Sequence, residues 1–449
     1  MHRVFRRAGL LLLLLSAAFS VSAQPQAAPT TGSASTQAIA AYQALDANIE
    51  RFEFAELRSA VETLPPSSQR DYFAGMFANR AGKSAESALL LEKSLPWARQ
   101  SDPKRAAWAL EALADDYAKT FRYGDAVRAY EELFQHYAAQ FDDTQRKDDE
   151  DDFRVLQLLR DAPPQTIQSQ GPVALRTHRN DALHTIDTEL TVNGVTESWI
   201  VDTGANFSTV SESFARRLGV KLSEGKAQTQ GITGAENELR AAVLPELHLD
   251  GTVMRNVALV VLPDDSLNVP TGSKHRYQIQ AVLGYPVLQA LGRFTLTQDG
   301  QFLAGPASPR SDSGAPLYMY KLTPLLECGV GGHPLIFSYD SGADYSAFSD
   351  RYFRDFPGQF HGLHKHPYGM AGVGGVRKMK VFYLPEARLG VGPATATLRN
   401  VPVLPPLGTN LNKYYGNLGR DLTDAYGHFT VDFANMRLSL GTPMDDNAN

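Results

Sequence analysis

The chain has 449 residues, 43% hydrophobic and 20% charged, which is too long for one ordinary core and suits two or three domains of a globular protein. A formal net charge of −6 gives it no electrostatic reason to seek nucleic acid. A single cysteine, Cys328, excludes any intramolecular disulfide.

Residues 1–23 read as a secretory signal peptide. Arg3, Arg6 and Arg7 precede the apolar run Leu10 to Leu15, and Val21-Ser22-Ala23 offers a small-x-small cleavage site. The apolar part is too short for a stable membrane span, so the mature protein is expected to be exported, periplasmic or secreted. No cysteine follows to carry a lipid anchor. Residues 24–36, rich in Ala, Ser, Thr, Gln and Pro, read as a flexible leader.

From 37 to 165 the pattern is helical: glycine is sparse and apolar residues return every three or four positions. Segments starting at Gly82 and Tyr123 parallel each other at a spacing of 41 through Ala85/Ala126 and Ala88/Ala129, small residues suited to close helix crossings. With Ala114, Tyr117, Gly124 and Tyr130 in repeat-like places, this domain resembles tetratricopeptide-type helix pairs. Pro96 and Pro103 predict a longer connection than that repeat has, and a plain helical bundle is the alternative. Asp142 to Asp152 carries seven acids and reads as a solvated helix end or linker.

Strand signals then take over, in two diverged copies of one sequence. A shift of 138 lays Asp202-Thr203-Gly204-Ala205 on Asp340-Ser341-Gly342-Ala343, Gly194 on Gly332, Ser208 on Ser346 and Ser211 on Ser349. With small indels, Leu244-Pro245-Glu246 answers Leu384-Pro385-Glu386, Arg255-Asn256-Val257 answers Arg399-Asn400-Val401, and Gly292-Arg293-Phe294-Thr295 answers Gly427-His428-Phe429-Thr430. Asn193-Gly194 and Gly331-Gly332 are hairpin turns. Each hairpin delivers an apolar strand into its aspartate turn. Residues 171–304 and 317–443 are thus two lobes joined by a Pro- and Ser-rich linker, 305–316. The fold class is multidomain, α then β: a helical-hairpin repeat-like domain followed by a bilobed all-β domain.

A lone Asp-Thr/Ser-Gly is an ordinary surface turn. Here both triplets end apolar strands, and each copy adds a second element about 80 residues on: Ala281-Val282-Leu283-Gly284, then Gly416-Asn417-Leu418-Gly419. On these motifs, residues 183–440 resemble aspartic proteases of the pepsin and retroviral-protease clan. Alanine after the glycine looks retroviral, while two lobes in one chain look like pepsin. Asn417 is polar where the family has an apolar residue, a departure read as touching packing more than chemistry.

Two carboxylates brought together cannot both ionise cheaply; they share one proton and titrate as a unit. Asp202 and Asp340 are therefore the expected catalytic pair of an endopeptidase, one taking a proton from water and the other giving one to the scissile carbonyl. The resemblance implies that the hydroxyls of Thr203 and Ser341 brace the opposite loop and that Gly204 and Gly342 let the two backbones meet. No cofactor or metal is needed. Ala205 and Ala343 stand where pepsin-like enzymes often have a hydroxyl bonding the carboxylate, so activity is expected nearer mildly acidic or neutral pH than strong acid. Glycine-rich flap tips are expected at Gly231-Ile232-Thr233-Gly234 and at Gly372-Val373-Gly374, closing over an extended peptide, although the tyrosine of a pepsin-type first flap is absent.

His361, His364 and His366 have metal-compatible spacing but read as a solvated loop. Ser208 and Ser346 sit in no nucleophile elbow, and Cys328 reads as a small buried apolar residue. The partners expected are a peptide or protein substrate and a protein bound at the helical domain. Two other readings stay open. One is a cell-envelope scaffold that holds peptides without cutting them; the other treats residues 37–165 as a removable inhibitory segment.

Overall fold

The computed structural model describes residues 31–231, 234–271, 275–305 and 313–444. The signal segment 1–23, leader residues 24–30 and linker residues 306–312 lie outside them. The chain divides into two compact units, Met1–Ala47 and Asn48–Asn449. The described part of the first is helical, the start of a helix that begins at Thr31, within the stretch read as a leader. Among the described residues no helix is long and apolar enough to cross a membrane.

The helices are α1 (Thr31–Arg51), α2 (Phe54–Thr63), α3 (Ser68–Arg80), α4 (Ser84–Ser101), α5 (Pro103–Lys119), α6 (Tyr123–His136) and α7 (Asp143–Leu158). From α3 to α6, each packs against its sequence neighbour. The close crossing of α3 and α4 is made by Gly75, where an added Cβ would lie 2.8 Å from the Leu91 side chain. Ser87 Oγ fastens it by donating to the Gly75 carbonyl at 2.9 Å. Ala88, Ala126 and Ala129 are buried as expected, but Ala85 is exposed. The two prolines do not lengthen the connection. Pro96 lies inside α4, and Pro103 occupies the first turn of α5, where no N–H is needed and Asp102 caps the helix through Lys104 N at 2.8 Å.

The repeated sequence becomes repeated structure. Ile186–Val192 and Val195–Val201 pair antiparallel around Asn193-Gly194, and Thr323–Val330 and His333–Tyr339 pair likewise around Gly331-Gly332. All four turn residues have positive φ (51°, 78°, 57° and 86°), the backbone a tight two-residue hairpin demands. Leu-Pro-Glu faces Arg-Asn-Val across the long hairpin of each lobe, Leu244 opposite Val257 and Leu384 opposite Val401. In both, the asparagine (Asn256, Asn400) takes a positive φ beside the proline, where the ladder skips a pair.

A shared antiparallel sheet joins the lobes in the order Val173–Arg179, Gln301–Ala304, Arg293–Thr297, His428–Asp432, Arg437–Leu440 and Ala315–Tyr320. Its centre is Thr295 opposite Thr430, their hydroxyls 2.8 Å apart. These two residues are counterparts in the duplication, so the pseudo-twofold axis runs between them.

The helices are fastened to the second lobe by an apolar cluster and a buried ionic one. Phe52 and Phe54 pack with Tyr320, Leu325, Ile336, Leu411 and Tyr414. Lys321 Nζ lies 2.6 Å from Asp149 and 2.7 Å from Asp152 of α7, with the Asp149 side chain fully buried. Tyr320 donates to Glu111 at 3.0 Å and accepts from Lys413 at 2.7 Å, under the Arg80 guanidinium. Burial pushes the Lys321 ammonium down, but Asp149 and Asp152 outweigh it and hold the group well above the usual lysine range. The acidic run is therefore not simply a solvated end. Asp142 caps α7 through Gln145 N at 2.8 Å, whereas Asp149 faces inward to the lysine.

Candidate active site

Both aspartates stand where an apolar strand stops. Val195–Val201 lies parallel to Ala281–Leu283, and His333–Tyr339 lies parallel to Gly416–Leu418. The backbone of Asp202 bonds Leu283 O at 3.1 Å and that of Asp340 bonds Leu418 O at 3.0 Å. Gly284 and Gly419 follow, and each permits a backbone crossing no side chain would fit. An added Cβ would sit 2.4 Å from Phe207 C or 2.8 Å from Ala343 O. Ser208 Oγ accepts from Gly284 N at 3.1 Å and Ser346 Oγ from Gly419 N at 3.0 Å. These two serines are therefore staples between the halves of each motif.

Across the axis the two aspartate loops interlock. Thr203 N donates to Ser341 Oγ and Ser341 N to Thr203 Oγ1, both at 3.0 Å. The hydroxyls pass the bond on, Ser341 to Val201 O at 2.9 Å and Thr203 to Tyr339 O at 3.2 Å. All four polar groups are thereby satisfied in a buried place, where an unmade bond is costly. Each carboxyl then lies over the opposite glycine. An added Cβ on Gly204 would be 2.6 Å from Asp340 Oδ1, and one on Gly342 would be 2.5 Å from Asp202 Oδ2. Gly342→Ala should accordingly drive Asp202 out of place, read as a shift of its carboxyl ¹³C signal with far-UV circular dichroism unchanged. An unmoved Asp202 signal would show that this packing does not matter.

The carboxyls are held by backbone donors. Gly204 N bonds Asp202 Oδ1 at 2.8 Å, and Asp340 Oδ1 accepts from Gly342 N at 2.9 Å and Ala343 N at 3.0 Å. Burial, then the charge of Asp340 and a hydrogen bond to it, push the Asp202 carboxyl well above the usual carboxylate range. Asn417 is not merely a packing residue. Its Nδ2 lies 3.3 Å from Asp340 Oδ2, and its Oδ1 accepts from Ser338 Oγ at 2.6 Å.

Two hairpins reach over this floor. The first pairs Ala227–Gln230 with Glu236–Leu249, its tip closed by Gly231 N to Ala235 O at 3.1 Å and Gly234 N to Gly231 O at 2.8 Å. Ile232 and Thr233 lie outside the described residues. The second pairs His366–Gly372 with Gly375–Val391 around Val373-Gly374. The tips meet: an added Cβ on Gly374 (φ +85°) would be 2.7 Å from Ala235 Cβ, and one on Gly231 would be 3.1 Å from Val373 O. Asn237, buried between them, was not singled out in the sequence, where nothing marks it.

Beneath the tips is a cavity of about 460 Å³ lined by Gly204, Asp340, Asn417, Gly231 and Val373. Its outer wall is α7, through Asp148, Asp151, Asp152 and Val155. His361, His364 and His366 are exposed, and among the described residues no group of three or more His, Cys, Asp or Glu is arranged to hold a metal. Cys328 is fully buried, and burial pushes its thiol far up.

A family model described as "Aspartyl protease" matches residues 188–287, the segment holding Asp202 and Gly284. No curated protein matches the chain. Among solved structures, conglutin gamma, a basic 7S globulin from lupine seeds, is 10% identical with a TM-score of 0.38, and the basic 7S globulin from soybean is 12% identical with a TM-score of 0.37. Each match covers 60% of this chain and 94% of the other.

Proposed function

We propose that this protein is an aspartic endopeptidase, exported by its N-terminal segment, which hydrolyses peptide bonds with water activated between Asp202 and Asp340. The observation that carries the reading is the reciprocal Thr203–Ser341 lock, which sets two carboxyls from homologous loops over each other's glycines, beside a cavity lined by Gly204 and Asp340. An inert scaffold has no use for two carboxyls pressed together, since such a pair is stable only by holding a proton between them. A shared proton equips the site with a base and an acid at once. An extended peptide under the two hairpins would lend its backbone to the glycine tips and place one carbonyl above the pair.

Cleavage of an unstructured protein, sensitive to pepstatin, is the direct test. Binding of peptides without any cleavage would favour the scaffold instead. The pH–rate profile follows from Asp202. A carboxyl held well above its usual range keeps its proton as pH rises, so the singly protonated pair persists toward neutrality. Maximal activity is expected at mildly acidic to neutral pH, and an optimum in strong acid contradicts this.

A further inference from the structure

The two lobes match at the aspartate, at the hydroxyl residue, at both glycines and at the stapling serine. Among the positions where they differ is one coupled pair near the carboxyls. In the first lobe Ile200 pairs with Val282, two residues before Asp202 and two before Gly284. The same register in the second lobe pairs Ser338 with Asn417. Two apolar residues have become two polar ones that bond each other, and the amide reaches Asp340 Oδ2. A lone polar substitution in this buried strand pair would leave a group unsatisfied. The paired change instead satisfies Asn417 Oδ1 with the serine hydroxyl and leaves its N–H₂ to face the carboxyl. A carboxylate only accepts, so this orientation favours the charged form.

The donors are therefore unequal. Asp340 receives Gly342 N and Ala343 N on Oδ1 and Asn417 Nδ2 on Oδ2. Asp202 receives the backbone N–H groups of Gly204 and Ala205, with no side-chain amide opposite. We propose that Asn417, aimed by Ser338, is a positioning residue that decides which member of the pair keeps the shared proton: Asp202 holds it and Asp340 carries the charge. The inference rests on the endopeptidase reading for its chemistry. Asp340 removes a proton from water as the water oxygen bonds to the scissile carbon, and Asp202 gives its proton to the carbonyl oxygen. The tetrahedral diol then collapses. One hydroxyl returns a proton to Asp202, the C–N bond breaks, and the amine leaves with the proton that Asp340 took from water. Amide and water become acid and amine, and the pair is restored.

Asn417→Val installs the residue that the first lobe already uses. Removing a donor to the charged form should shift the acidic limb of the kcat/KM profile upward by about one pH unit. Ser338→Ala, which frees the amide without removing it, should move the limb the same way by less and keeps the test alive if the valine variant folds poorly. A limb that stays put or moves down in both variants overturns the assignment. Carboxyl ¹³C shifts of the full-length protein read the same point without catalysis: at mildly acidic pH Asp340 should give the carboxylate signal and Asp202 the acid signal. The opposite order overturns the inference. If the native protein cuts nothing yet shows this order, the endopeptidase reading fails and the role of Asn417 stands.

Discussion

Asp202→Asn is expected to lower peptide hydrolysis by about three orders of magnitude, the scale on which a positioned acid or base acts, while raising the melting temperature at neutral pH. The loss follows because an amide can neither hold nor release the shared proton. The gain follows from linkage. The folded-state carboxyl of Asp202 is held well above its unfolded value, by burial first and by Asp340 second. Its contribution to stability is complete below the unfolded value and disappears as pH rises through the folded one. At neutral pH the native chain therefore carries a penalty that asparagine, still able to accept from Gly204 N, does not. The difference in melting temperature should shrink in acid and grow toward neutrality. Surviving hydrolysis in Asp202→Asn or Asp340→Asn would end the mechanism, whereas a fall in stability at neutral pH would remove the electrostatic account alone.

Lys321→Met should destabilise the chain by about 3–5 kcal/mol in urea unfolding, the cost of breaking a buried ion pair by removing one partner. Burial pushes the Asp149 carboxyl up, against the opposing charge of Lys321. Without the lysine, Asp149 and Asp152 lose the ammonium that pairs with both, and α7 loses these ion pairs to the second lobe. A chain starting near Gly171 goes further. It also loses the edge strand Thr166–Ser169, which pairs with Thr252–Leu262, and the buried bond from Gln165 to Pro286 O at 3.2 Å. Such a fragment is expected to be insoluble or to melt far below the full chain. A stable fragment with a higher hydrolytic rate would instead restore the view of the helices as a removable inhibitor.

Much of the site could be read directly because its parts are short-range. Asp-Thr-Gly and Asp-Ser-Gly, Asn193-Gly194 and Gly331-Gly332 each encode a turn within a few residues, and duplication said that whatever one turn does, the other does too. That repetition implied an axis, and with it a meeting of two carboxyls. Asn417 was visible as a departure but not as a contact, since its partner Ser338 lies 79 residues earlier. The matching signal was there: Ser338 stands where the first copy has Ile200. Pro96 misled because a proline inside a helix is unfavourable on local grounds, and the packing of α4 between α3 and α5 outweighs them.

The amino-acid order thus determined the helical and β halves, the twofold repeat and the identity of the paired acids, since all of these are written in local periodicity and in self-similarity. Only the tertiary structure decided that α7 forms a wall of the cavity, that Asp149 is buried rather than solvated, and that an amide singles out one carboxyl. Those facts depend on groups far apart in sequence: whether a charge is buried, paired or exposed is set by what folds against it, and Lys321 reaches Asp149 only after the second lobe has formed.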